Sequence, residues 1–271
     1  MENYIWKCGL AAPYISSRQN PRVISVSKLA DKKYREQTGT FLCDGVKLTL
    51  EAARFGVVRE VYIRESSAEN VLEAATAAKD SGGELFVLSD GAFDKITTER
   101  SPQGIVTVAE CRSFSESPES FAKGKVILML DSVRDPGNLG TILRSACALG
   151  GVGVALYSCA DIYNPKTVRA AMGALFKADI TVVCDGAEFV KALASSGRRV
   201  LAACPAGDSL ILGRDEILPD DCVIIGNEGH GVSPEILDAC TSSLLIPMEE
   251  NTESLNASAA ASVILWEYAR G

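Results

Sequence analysis

Residues 126–151 read VILMLDSVRDPGNLGTILRSACALGG, and no other stretch constrains the fold so tightly. Positions 126–130 form an unbroken apolar run of strand length. A polar turn follows over 131–138, holding Arg134, Asp135, Pro136 and Gly137. Leu139, Ile142, Leu143, Ala146 and Leu149 then recur at helical spacing, and Gly150-Gly151 ends the helix. A strand apolar at every position is covered on both faces, as in a parallel sheet flanked by helices. Sheets of that kind hold ligands in the crevice beyond the C-terminal ends of their strands. Two residues here admit both a structural and a functional reading. Asn138 suits a helix N-cap, and Arg144, further along, suits a solvated helix surface; both equally suit a site.

The 271 residues suit one large or two ordinary domains. The N-terminal MENYIWKCGLAAPY lacks the basic region and long apolar run of a signal peptide. No apolar segment reaches the ~18 residues of a membrane span. Nine cysteines without a CxxC, beside a single histidine, offer no zinc constellation. The expectation is therefore free thiols, no metal and a reducing cytoplasm. A net charge of −8 argues against a non-specific nucleic-acid coat. Yet residues 1–40 carry Lys7, Arg18, Arg22, Lys28, Lys32, Lys33 and Arg35 against Glu2, Asp31 and Glu36, a local net of +4 that leaves −12 for the rest. Such an arm suits either a phosphate backbone or an ordinary solvated helix.

Before the central stretch, the pattern predicts a turn at Asn20-Pro21 and then a basic helix to residue 37. Strands follow over 40–43, 60–63, 84–88 and 105–108, with helices over 46–54, 68–79 and 92–96. Alternating strands and helices indicate a small α/β domain over 1–110. The stretch 111–125, rich in Ser, Glu and Pro without apolar periodicity, reads as a linker. A second α/β domain, mostly parallel, is expected over 126–271. Its further strands fall at 152–156, 180–184, 200–203, 222–226 and 244–246. Its helices fall at 164–176, 187–195, 233–239 and 256–268.

Several standard signals are missing. There is no GxGxxG after a strand, which disfavours a nicotinamide-dependent oxidoreductase, and no Walker A loop, GxSxG elbow or HExxH. His230 reads as a turn residue between glycines. Two more strand-to-loop junctions remain. Residues 222–225 run into Gly226-Asn227-Glu228-Gly229-His230-Gly231, whose glycines suit close approach of a ligand to the backbone. Residues 244–246 run through Pro247 to Ser254-Leu255-Asn256, where Ser254 or Asn256 suits the cap of the last helix.

Together these three segments resemble the signature motifs of the SpoU (TrmH-like) RNA ribose 2′-O-methyltransferases, within the SPOUT superfamily. The first is Asp135-Pro136-Gly137-Asn138-Leu139-Gly140 through Arg144. The second is Gly226 to Gly231, and the third is Ile246-Pro247-Met248 with Glu253-Ser254-Leu255-Asn256. Asn164-Pro165-Lys166 and Arg169 resemble a further family segment near the substrate. Ile15-Ser16-Ser17, Asn20-Pro21, 41–45 and Gln103-Gly104 resemble the L30e-like substrate-binding domain fused to many members. The chain departs from the family at Asp44, where Glu is commoner, at Ala170-Ala171, where a serine is usual, and at Ala257, where Val is usual.

The resemblance implies S-adenosylmethionine as methyl donor and a ribose 2′-hydroxyl of RNA as acceptor. Ribosomal RNA is the expected substrate, with tRNA methylation or a non-catalytic ribosome-assembly role as alternatives. It also implies a trefoil-knotted C-terminal α/β domain, a cytoplasmic homodimer, and no metal. By family match, Asn138, Arg144, Glu228, Ser254 and Asn256 form the catalytic set. Gly226, Ile246 and Leu255 would grip the cofactor, and Lys166 and Arg169, with Arg22, Lys32 and Lys33 of the basic arm, would meet RNA. The family's arginine is sometimes described as a base. A guanidinium, with an ordinary pKa above about 12, is a poor proton acceptor. Anchoring a phosphate and stabilising alkoxide charge suits it better, with Asn138 and Glu228 expected to position it.

Overall fold

The structure, a computed structural model, describes residues 3–5 as backbone and 11–67, 71–114, 121–205, 208–249 and 254–270 in full. The chain divides into two compact units, Met1–Arg112 with Asp161–Phe176, and Ser113–Ala160 with Lys177–Gly271. Parts of the expected linker (115–120) and helix (68–70), together with Lys7 and the motif residue Glu253, lie outside the described residues.

The first unit is built on a six-stranded sheet. Its strands are β1 (Asn3–Ile5), β2 (Ala11–Ile15), β3 (Thr40–Asp44), β4 (Val58–Arg64), β5 (Glu84–Leu88) and β6 (Ile105–Glu110), in the order β1-β2-β5-β4-β6-β3. Its helices are α1 (Pro21–Ser27), α2 (Lys32–Thr38), α3 (Val46–Arg54), α4 (Leu72–Asp80) and α5 (Asp90–Ile96). Side chains alternate across β6 as the pleat requires. Val106 and Val108 join Val23, Val26, Ala92 and Phe93 of α1 and α5 in one core. Thr107, between them, turns to the other face, where its hydroxyl meets that of Thr49 on α3 at 2.8 Å.

Two expectations need correction here. The basic helix is not continuous, because Asp31 starts a new one by accepting a hydrogen bond from Lys33 N at 2.8 Å. The strand β2 lies outside the expected strands; its Pro13 has no N–H to give a ladder, and it pairs with β5 only through Tyr14 and Ile15, beyond the proline.

In the second unit, seven strands take the order β11-β13-β10-β12-β7-β8-β9. They are β7 (Val126–Asp131), β8 (Val152–Tyr157), β9 (Asp179–Val183), β10 (Val200–Ala203), β11 (Leu210–Ile211), β12 (Cys222–Ile225) and β13 (Ser242–Leu245). Every described pairing among them is parallel. The helices of this half of the chain are α6 (Pro136–Leu149), α7 (Pro165–Ala171), α8 (Ala174–Lys177), α9 (Gly186–Ser195), α10 (Pro234–Leu237) and α11 (Ala257–Arg270). All six residues of β7 are buried. Ile127 and Met129 pack with Phe189, Val190 and Leu193 of α9, while α6 and α11 pack against each other and on neighbouring strands. A sheet covered on both faces explains the lack of polar alternation in 126–130.

Whereas the sequence suggests a domain unbroken from 126 to 271, residues 161–176, which include α7, group with the first unit. Their attachment is specific. Arg35, 3% exposed, donates to Asp161 through Nε at 3.2 Å and Nη2 at 2.5 Å, and to Leu29 O at 2.7 Å. Phe41 and Tyr163 lie with ring centroids 4.6 Å apart. Arg35 is thus a buried anchor and not part of a solvated arm. The helix expected over 164–176 is broken at Met172 and Gly173, both at positive φ (50° and 91°).

Candidate active site

At the C-terminal ends of β7 and β12, the second unit gathers all three polar loops. The first begins at Asp135, which caps α6 by accepting from Asn138 N at 2.8 Å, with Pro136 opening the helix. Asn138 is therefore not the cap, and its side-chain amide is free for other partners. Asn138 Nδ2 donates to Glu228 Oε1 at 2.9 Å, and Asn138 Oδ1 accepts from Asn256 Nδ2 at 3.0 Å. One side chain thus joins loops 90 and 118 positions away in sequence.

The second loop is closed on itself. Asn227 and Gly231 exchange backbone hydrogen bonds at 2.9 Å in both directions. A Cβ on Gly226 would come within 2.2 Å of the Gly231 and Val232 backbone, and Gly231 holds φ +71°. These two glycines serve the loop's own closure. The loop is also fastened to the end of β7. Asn227 Nδ2 donates to Ser132 O at 2.9 Å, and buried Asp131 accepts from Ser233 N at 2.7 Å. Sequence reasoning assigned no role to Asn227 or Asp131. The one available signal was a carboxylate ending the apolar run VILMLD. His230 is an exposed turn residue whose backbone N donates to Asn227 Oδ1 at 3.2 Å.

In the third loop, Asn256 Oδ1 accepts from Ser258 N at 2.9 Å and from Ser258 Oγ at 2.7 Å, so it caps α11 while its amide reaches Asn138. The cap and the bond to the first loop thus come from the two ends of one side-chain amide. The polar seam continues one level up, where Ser145 and Ser262 hydroxyls meet at 2.9 Å. Ser254 is exposed, as are Met248 and Leu255, at 40% and 38%. Ile246 is half-buried just past β13. β13 and β12 flank β10, so Ile246 and Gly226 stand about two strand spacings, or ~10 Å, apart.

Arg144 is brought near none of these partners by a bond. It is exposed and has no hydrogen bond or ion pair among the described residues. It stands six positions after Asn138, about 9 Å along the helix axis and about 120° around it. Asn138 and Glu228 therefore bond to each other and not to Arg144, contrary to the expectation that they position it.

The basic candidates belong to the first unit. Arg22 is engaged, ion-paired with Glu60 and stacked 4.2 Å over the Phe86 ring. Lys32 is exposed and lies 3.7 Å from Glu36, and Lys33 is exposed. Lys166 and Arg169 project from α7, whose cap Asn164 accepts from Lys166 N at 2.9 Å. Arg169 pairs with Glu99. Both line a groove of about 320 Å³ with Thr98, Glu99, Asn164 and Pro165. Asp44 edges a neighbouring cleft; its burial raises its pKa despite bonds from Thr97 Oγ1 at 2.6 Å and Thr98 N at 2.9 Å.

Among the described residues, no cluster of His, Cys, Asp or Glu could hold a metal, and no helix is long and apolar enough to cross a membrane. Comparison with known proteins decides the lineage. The profile of the SpoU rRNA Methylase family matches residues 125–266. The chain belongs to the SpoU rRNA methylase family. An MRM3-like substrate binding domain matches residues 20–107 of this SpoU protein. The chain is 32% identical over 258 residues to a Bacillus subtilis protein named 23S rRNA (guanosine(2553)-2′-O)-methyltransferase RlmP, covering 93% of this chain and 97% of that one. Among solved structures, the AdoMet-bound rRNA methyltransferase of Sinorhizobium meliloti superposes with a TM-score of 0.84 at 29% identity, over 96% of this chain and 98% of that one. The SpoU methyltransferase AviRb of Streptomyces viridochromogenes, in complex with AdoMet, gives 0.80 at 26% identity, over 93% and 98%. As a SpoU member the protein is an RNA methyltransferase that draws on S-adenosylmethionine. The residues present fit that donor. Half-buried Ile246, with exposed Met248 and Leu255, offers apolar surface, and no Lys or Arg lies within 246–249 or 254–256. Such a lining suits an adenosine that carries no phosphate.

Proposed function

We propose that this protein transfers a methyl group to a ribose 2′-hydroxyl of ribosomal RNA, with Asn138, Arg144, Glu228, Ser254 and Asn256 as the working residues. The observation that carries this reading is the double bond-making of Asn138, whose amide joins Glu228 and Asn256. When bound, S-adenosylmethionine supplies an already activated methyl group on a sulfonium, so the protein's task is to orient a weak nucleophile. Gly226, Ile246 and Leu255 hold the donor. The Asn256–Asn138–Glu228 chain fixes the walls of the cleft. Arg144, whose guanidinium has no partner among the described residues, takes an RNA phosphate and stabilises negative charge growing on the 2′-oxygen. Ser254, exposed at the mouth of the third loop, orders that loop around the ribose.

Residues 1–110 form the RNA-binding part and 126–271 the transferring part, joined by 111–125. The segment 161–176 lends Lys166 and Arg169 to the RNA-binding part, and Lys32 and Lys33 add charge there. Arg22 contributes less, because its guanidinium already has Glu60 and Phe86 as partners. The protein works as a cytoplasmic homodimer with a trefoil-knotted C-terminal domain. Exposed Val263 and Trp266, three residues apart on α11 and 42% and 59% accessible, support a covered helix face. The test is transfer of labelled methyl from S-adenosylmethionine to bulk RNA from a strain lacking the protein, followed by mapping of the modified ribose. Label in ribosomal RNA at a 2′-oxygen supports the reading; label confined to tRNA, or none, overturns it.

A further inference from the structure

We infer that Asn227 is a positioning residue, which sets the Glu228 carboxylate against Asn138 by clamping the second loop to the end of β7. The inference rests on the reading of Glu228 as a working residue. Glu228 is exposed, in a loop with glycines at 226, 229 and 231. What fixes it is the residue before it. Asn227 Oδ1 accepts from Gly229 N at 2.9 Å and His230 N at 3.2 Å, folding the backbone around Glu228 into a tight turn. Asn227 Nδ2 meanwhile donates to Ser132 O at 2.9 Å and lies 3.5 Å from Glu228 Oε2. Ser132 itself is held in a left-handed conformation, φ 59°, with its N–H donating to Tyr157 O at 2.9 Å. The carbonyl that receives Asn227 is thereby a fixed point of the sheet.

The donors form an ordered series. Asn256 Nδ2 donates to Asn138 Oδ1, Asn138 Nδ2 donates to Glu228 Oε1, and Asn227 Nδ2 faces Glu228 Oε2 from the other side. Both carboxylate oxygens thus meet an amide N–H, which selects one orientation of Glu228 and leaves Asn138 no freedom to turn its amide over. Without Asn227 the series loses its anchor on β7, and the carboxylate keeps only the bond from Asn138.

The test is a double-mutant cycle on the full-length protein with Asn227→Ala and Glu228→Ala, reading single-turnover methyl transfer, cofactor Kd and Tm. Asn227→Ala is expected to slow transfer by up to about 100-fold, as small misplacements in a site do. In the Glu228→Ala background the same change is expected to add nothing beyond about 2-fold, because residues acting through one another are not additive. A full multiplicative loss in that background, or a wild-type rate for Asn227→Ala, overturns the inference while leaving the role of Glu228 intact. A wild-type rate for Glu228→Ala overturns the reading of Glu228, and the inference with it. If Asn227→Ala fails to fold, Asn227→Asp carries the same cycle, since it keeps the oxygen that receives Gly229 and His230 and removes the donor to Ser132.

Discussion

Asn256 donates its side-chain amide to the Asn138 oxygen at 3.0 Å while its own oxygen caps α11. The two functions separate by substitution. Asn256→Asp keeps the capping oxygen and removes the donor, so it is expected to retain the wild-type Tm within a few degrees while methyl transfer falls at least about 5-fold, each bond being worth about 1 kcal/mol. Asn256→Ala loses the cap as well, at about 1 kcal/mol of stability. Thermal unfolding and single-turnover transfer, measured side by side, check the separation.

Arg144 has no bonded partner among the described residues. Arg144→Ala is therefore expected to leave stability within about 0.5 kcal/mol, as for surface positions in general. Transfer should be abolished, with the cofactor Kd unchanged by calorimetry. Loss of cofactor binding in this variant would contradict the assignment of the side chain to RNA.

The Arg35–Asp161 pair fastens residues 161–176 to the first unit from a position almost without solvent contact. Removing one partner of a buried pair costs about 3–5 kcal/mol. Arg35→Ala should lower stability by that order in denaturant titration. Hydrogen exchange should rise over 161–176 before it rises in the sheet of the second unit.

Burial raises the pKa of Asp44, outweighing the bonds from Thr97 and Thr98. The folded state then holds this proton more tightly than the unfolded chain does. Its contribution favours folding at low pH and is lost as pH climbs from the unfolded value of about 3.9 through the raised folded one. Asp44→Asn should abolish this component, so the difference in stability between variant and wild type should grow in the variant's favour across that window in urea titrations at stepped pH.

Sequence pattern and structure agree where local forces decide. The helix Val46–Arg54 and the strands Glu84–Leu88 and Val200–Ala203 follow from periodicity and turn residues alone. Errors fall where a single side chain overrides the pattern: Asp31 interrupting the basic helix, Pro13 masking β2, Met172 and Gly173 breaking α7 from α8. In the site, the motif residues Asn138, Glu228 and Asn256 were visible as polar loop positions, but their mutual bonding was not. Periodicity says which way a side chain faces along its own element; it carries no information on a partner 118 positions away. For the same reason the engagement of Arg22 by Glu60 and Phe86, and the isolation of Arg144 from Asn138, emerge only in three dimensions.

The clamp between Asn138, Glu228 and Asn256 also fixes when the enzyme can first work. During synthesis the segment around 138 emerges early, the one around 228 much later, and the one around 256 later still. Until that last segment docks, the first two loops are halves of a vise without a screw. The vise therefore closes only when the segment synthesised last has taken its place.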